Sequence, residues 1–191
     1  MVEVAGMDKL KKKLVKIHLR NFKGTIKKPK DYEYLQNIHA FGNRFMSASE
    51  DYDCIQNTIK KINDQISKKE KALLELASYL IFSEGVICNC FDLICYLLVV
   101  DHHELCDFIR KNKYARTIDD IAKISMFQKV GFLNHHGFKE LTKKYDMHFR
   151  NCIAHHKYRT DDNGDVWIDG EKQNIKENTS KYFNYLYFFL D

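Results

Sequence analysis

The chain has 191 residues, a formal charge of +5, and 45% hydrophobic against 30% charged residues. That length suits one domain of ordinary size, and the balance excludes a disordered or low-complexity chain. With a single proline, Pro29, and eight glycines, the turn formers that an all-β fold requires are missing, so an all-α fold built from long helices is expected.

Residues 7–22 repeat Leu10, Leu14, Ile17 and Leu19 among lysines, the pattern of a basic amphipathic helix. Gly24 and Pro29 break it, so residues 1–30 read as a basic N-terminal helix and linker, followed by a helical domain over residues 31–191. The lysine clusters (Lys11, Lys12, Lys13 and Lys16, then Lys23, Lys27, Lys28 and Lys30) suit either a solvated face or a phosphate-bearing partner. From Asp31, Tyr34, Leu35, Ile38, Phe41 and Phe45 form one helical side, and Ser47-Ala48-Ser49 reads as the turn that ends it. Residues 50–67 keep Ile55, Ile59, Ile62 and Ile66 at helical spacing. A charged patch, Lys68 to Lys71, then leads into the apolar run 72–100, leaving open one very long helix or two.

That run is the most hydrophobic stretch of the chain, yet Glu75, Glu84 and Asp92 interrupt it where charges would sit inside a bilayer. It therefore reads as a central core helix, and no membrane association is expected. Residues 102–113 and 117–130 suggest two shorter helices, the second capped by Thr117. Gly131 and Gly137 bracket a connector, and one long helix is expected over residues 138–158. Asp161-Asp162-Asn163-Gly164-Asp165 is a strong turn signal. Val166-Trp167-Ile168 with Asp169-Gly170 then predicts a small β-hairpin, before an aromatic C-terminal helix over residues 182–190.

The six cysteines (Cys54, Cys88, Cys90, Cys95, Cys106 and Cys152) lie mostly in apolar surroundings, with no signal peptide pattern ahead of them. A reducing, cytoplasmic setting is the simpler reading. Cys88, Cys90 and Cys95, with His102 and His103 beyond, sit within the most apolar stretch, so they read as core thiols. No metal and no cofactor is expected.

The residues that could carry chemistry are Arg150, Asn151 and His155, late in the helical chain, with His156 and Tyr158 just beyond as accessory candidates. An arginine, an adjacent polar residue and a histidine a few positions on, placed on a late helix of an all-α chain, resembles the HEPN family of RNA-cutting proteins. The resemblance is specific over residues 149–158 and loose from Asp31 onward. It implies an up-and-down helical bundle and an endoribonuclease whose site is shared across a homodimer. In one group of that family a tyrosine two positions after the histidine accepts a nucleotide from an antitoxin partner, an arrangement matched here only through His156 and Tyr158. A toxin component of a toxin–antitoxin or phage-defence pair is therefore one alternative, and a non-catalytic RNA- or protein-binding module is another.

Helical geometry sharpens the choice of residues. At about 100° per residue, Leu141, Tyr145, His148, Phe149 and Cys152 share a face expected to be core, and Arg150 points away from it. His155 lies near Asn151 whereas His156 falls toward Phe149, which favours His155. Arg150 and His155 are about 140° apart on a continuous helix, so two copies packed about a two-fold axis, close at Ala154, would be needed to join them. The chemistry requires no metal. An imidazole, with an ordinary pKa of about 6.5, exchanges a proton with a ribose 2′-hydroxyl or a leaving 5′-oxygen. A guanidinium fork matches phosphate oxygens whose charge rises in the transition state. The products would be a 2′,3′-cyclic phosphate and a 5′-hydroxyl, with DNA spared.

Overall fold

The computed structural model describes residues 2–25, 31–62, 64–102, 118–143 and 145–179. It is mostly helical, with α1 (Val2–Thr25), α2 (Asp31–Ile62), α3 (Lys68–Ile81), a π-helical segment (Phe82–Ile87), α4 (Cys88–His102), α5 (Ile118–Ala122), α6 (Met126–His135), α7 (Lys139–Thr142) and α8 (Met147–Ala154). Three short strands follow, β1 (Arg159–Thr160), β2 (Val166–Ile168) and β3 (Glu171–Gln173), and a helical turn occupies residues 175–179. The fold is all-α with a small antiparallel sheet, as the composition implies. The helix expected over 102–113, the Thr117 cap and the C-terminal segment 182–190 lie outside the described residues, as does Cys106.

The apolar run forms the centre. Helices α3 and α4 are joined through the π-helical segment into one rod, and Phe82, Ile87, Phe91 and Leu98 on it are fully buried. The stretch Lys68–Asp101 is long and apolar enough to cross a membrane, but 61% of its most apolar window is buried inside the fold. The three acids of the apolar run 72–100 each meet a base from elsewhere in the chain. Glu75 meets Lys176 (3.4 Å), Glu84 meets Arg150, and Asp92 meets Lys129 (2.5 Å). The Asp92–Lys129 pair is itself buried, and Lys129 Nζ also donates to the Ala122 carbonyl (3.2 Å). This is how an interior charge becomes tolerable: a partner and further hydrogen bonds replace its water.

The question of one helix or two at the charged patch is settled by Ser67. Its hydroxyl accepts from Glu70 N (3.2 Å) while its own N–H donates to Glu70 Oε2 (2.8 Å), a reciprocal capping box that starts α3 at Lys68. The expected turn at Ser47-Ala48-Ser49 is not there, because α2 runs through it. Ser49 Oγ donates to the Phe45 carbonyl (2.9 Å), which keeps the hydroxyl satisfied inside the helix. Ala48 marks a crossing point, since a Cβ at Gly85 would lie 2.7 Å from the Ala48 Cβ. Small residues at 48 and 85 let α2 and the π-helical segment approach more closely than larger ones would allow.

Two further helices are shorter than expected. Residues 118–130 are divided by Ser125, whose hydroxyl accepts from Gln128 N (3.4 Å) to open α6. Gly131 then lies inside that helix, leaving Gly137 (φ 81°) as the connector residue. The helix expected over 138–158 is also interrupted. Asp146 accepts from Phe149 N (2.8 Å) and caps a fresh helix, α8, only eight residues long.

Two apolar clusters result. The larger joins α1, α2, α4 and α6 through residues such as Ile17, Phe41, Phe91 and Leu133. The smaller lies beneath α8 and is built from Leu76 and Tyr79 of α3, Phe149, Cys152 and Ile153 of α8, and Val166 and Ile168 of β2. Tyr79 and Phe149 meet edge to face with centroids 4.8 Å apart, an arrangement contributing about 0.5–1.5 kcal/mol beyond burial. The sheet has order β1-β2-β3 with Arg159 opposite Trp167 and Trp167 opposite Lys172. Asp161 organises the first turn by accepting from Asn163 N and Asp165 N, both at 3.0 Å. At the second, Asp169 (φ 52°) and Gly170 (φ 83°) are both left-handed, the two-residue turn that suits strand twist, so the expected hairpin forms and β1 adds a third strand.

Candidate functional site

Helix α8 carries Arg150 and Asn151, and the chain leaves the helix before it reaches His155. Arg150 is half-buried, with 26% of its side chain exposed. Its Nε donates to Glu84 Oε1 in the π-helical segment, and its Nη1 donates to Asn151 Oδ1 (2.7 Å). The hydrogen bond that it donates to Glu84 raises the arginine pKa above its ordinary value, so the guanidinium stays charged. Of five guanidinium N–H donors two are engaged among the described residues, which leaves three on the Nη1 and Nη2 edge. The Glu84 carboxylate also receives the Cys88 thiol at 4.0 Å, and burial pushes that thiol up to about 12. Glu84 stands in a π-helical turn, a local widening that recurs at functional positions. The sequence marks it only as an acid in an apolar run.

The helix ends in a full Schellman motif. His156 N donates to the Ile153 carbonyl (3.1 Å) and Lys157 N to the Cys152 carbonyl (2.7 Å), with His156 in the left-handed region at φ 54°. Glycine usually fills that position, and a histidine there carries strain of about 1–2 kcal/mol. His155 is the cap residue itself, its backbone N–H donating to the Asn151 carbonyl (3.0 Å). Both imidazoles are exposed, and the His156 ring faces Tyr158 with centroids 6.2 Å apart. The expectation that His156 falls on the apolar face beside Phe149 is therefore corrected, because the 100° step stops applying once the helix stops. Tyr158 is partly buried and packs against the smaller apolar cluster.

The structure thus brings Arg150 and Asn151 together and adds Glu84. It does not join them to His155 within one chain, since no hydrogen bond among the described residues links the His155 ring to either side chain. His148, expected on the core face with Phe149 and Cys152, is exposed instead. Its Nε2 lies 2.7 Å from Asp169 Oδ2 and 3.6 Å from Cys152 Sγ. Phe149 and Cys152 are buried together on α8, whereas Leu141 and Tyr145 are buried from outside that helix, so the single face expected to join all four does not exist.

A second polar surface lies on α1, where Lys9, Lys12, Lys13, Lys16, Arg20 and Lys23 line an open cleft of about 950 Å³. Lys13 also donates to the His136 carbonyl and stands 4.8 Å over the Phe138 ring. Burial, and then the neighbouring Lys9 charge, lower its pKa. Compared with known protein families, curated proteins and solved structures, the chain matches none.

Proposed function

We propose that the chain is a metal-independent endoribonuclease that cuts RNA through attack of a ribose 2′-hydroxyl on the adjacent phosphate. His155 acts as the proton-transferring group, Arg150 holds the phosphate oxygens, Asn151 positions them, and a second copy completes the site. The observation that carries this reading is a guanidinium fixed in direction by Glu84 and Asn151, with three of its N–H donors unengaged among the described residues, on a helix that ends at an exposed imidazole five residues on. A preset cation needs little reorganisation when charge develops on the phosphoryl oxygens. The lysines of α1 supply the sequence-independent attraction that a polyanion requires.

The test uses two inactive variants. Arg150→Ala and His155→Ala should each lose cleavage of single-stranded RNA by about 100-fold or more, on the scale of removing a positioned acid–base group or a preset donor. Mixing the two should restore part of the activity, because a mixed dimer holds one intact pair. Full activity in either variant refutes the assignment, and failure of the mixture to recover refutes the shared site.

A second reading, a binding module without turnover, is favoured by the Arg150–Glu84 ion pair, which also suits a purely structural arginine. RNA binding by wild type with no product from pH 5 to 9 would select it.

A further inference from the structure

The cluster at His148, Cys152 and Asp169 plays no part in the proposed cleavage. His148 and Cys152 are one helical turn apart on the same side of α8, and about 160–200° around the helix from Arg150. Asp169 is delivered from the β2–β3 turn, where its left-handed backbone and that of Gly170 fix its direction. The imidazole nitrogen, thiol sulfur and carboxylate oxygen all lie within 4.8 Å of one another. Cys152 is buried at 4% exposure with its sulfur aimed at this point, while the histidine and the aspartate stand in solvent.

Three explanations compete. A thiol nucleophile activated by histidine and oriented by aspartate uses the two ring nitrogens separately, one toward each partner. Here the same nitrogen, Nε2, faces both Asp169 and Cys152, so no relay runs through the ring. An isolated surface pair between His148 and Asp169 would account for the 2.7 Å contact, but not for a buried sulfur converging on it. A metal ion accounts for all three, because ligand atoms converge on a common centre. With tetrahedral zinc bond lengths the nitrogen and sulfur stand about 3.5 Å apart, close to the 3.6 Å found. The nitrogen–oxygen separation would open from 2.7 Å to about 3.3 Å, a shift that an exposed carboxylate on a turn accommodates.

We propose that His148 Nε2, Cys152 Sγ and the Asp169 carboxylate bind a zinc ion, with the fourth position open to water. The thiolate selects against magnesium and calcium, and the mixed nitrogen, sulfur and oxygen set fits zinc. Binding releases the thiol proton to solvent and joins α8 to the sheet, so the ion ties the hairpin to the helix that carries Arg150. The inference stands independently of the ribonuclease reading.

The test uses Co²⁺ as a spectroscopic substitute, on the full chain in a Cys54→Ser background that removes the thiol exposed among the described residues. One cobalt per chain should bind with a thiolate charge-transfer band and tetrahedral visible bands, and Zn²⁺ should displace it. His148→Gln and Asp169→Asn are exposed changes, and Asn-Gly also forms this turn. Both should weaken binding by more than about 100-fold, beyond the 10- to 100-fold that loss of a mere orienting partner causes. Absence of the thiolate band overturns the proposal, and so does a band whose affinity is unchanged in both variants.

Discussion

Gly85→Ala tests how the π-helical segment is held against α2, and therefore how Glu84 is aimed. The added methyl would meet Ala48 Cβ at 2.7 Å, about 1 Å inside the ordinary carbon–carbon contact distance. Overpacking of this kind costs about 1–3 kcal/mol, offset by up to about 1 kcal/mol from alanine's better helix propensity. A net destabilisation of about 1–2 kcal/mol is expected from these two opposing terms. Ala48→Gly removes the opposing methyl, and the next atom, Ala48 Cα, is then at 3.7 Å, an ordinary contact. The double variant should therefore be more stable than the sum of the singles by about 1–2 kcal/mol, well outside the additivity of independent sites. Urea unfolding of the four proteins at one pH measures this coupling. Singles that add to within about 0.5 kcal/mol would refute the close crossing at residues 48 and 85.

Two more predictions concern the half-buried Cys88 thiol, with the buried Tyr34 hydroxyl, and the end of the site helix. Burial raises Cys88 from 9.0 to about 12 and Tyr34 from 10.0 to about 12. Each group holds its proton more tightly folded than unfolded, so its contribution is complete below the unfolded value and disappears as pH rises toward 12. Melting temperature should thus fall progressively above pH 9, and a flat profile from pH 9 to 11 would contradict the assigned burial. His156→Gly should stabilise the protein by about 0.5–1 kcal/mol in the same unfolding assay, since glycine accepts φ 54° without the Cβ clash. A loss of stability would show that the left-handed turn is not as described.

Much of this architecture was legible in the residues, and the exceptions share a cause. The carboxylates of Glu75, Glu84 and Asp92 argued for a protein core around the apolar run, and each has its basic partner. Asp169-Gly170 specified its hairpin because only a few dipeptides accept two left-handed residues. Ser47-Ala48-Ser49 misled because small residues serve both turns and close helix crossings, and only the tertiary position of Gly85 distinguishes them. The ends of α8 were hidden for a similar reason. Asp146 is one of several polar residues able to cap, and a histidine stands where the sequence signal would be glycine. At the candidate site Arg150 and Asn151 were singled out from the arginine, polar residue and histidine pattern, and their side chains do meet. Their partner Glu84 lies 66 residues from Arg150, and the His148–Asp169 pair spans 21, separations that periodicity does not reach.

In the proposed reaction a 2′-hydroxyl attacks and His155 moves the proton. A DNA strand carrying one internal ribose tests it most directly, with products separated and their ends identified. A single cut on the 3′ side of the ribose is expected, with a 2′,3′-cyclic phosphate end, no effect of chelators on the cleavage step, and loss of the cut in His155→Ala. Cleavage elsewhere in the strand, or an undiminished cut in His155→Ala, would contradict it.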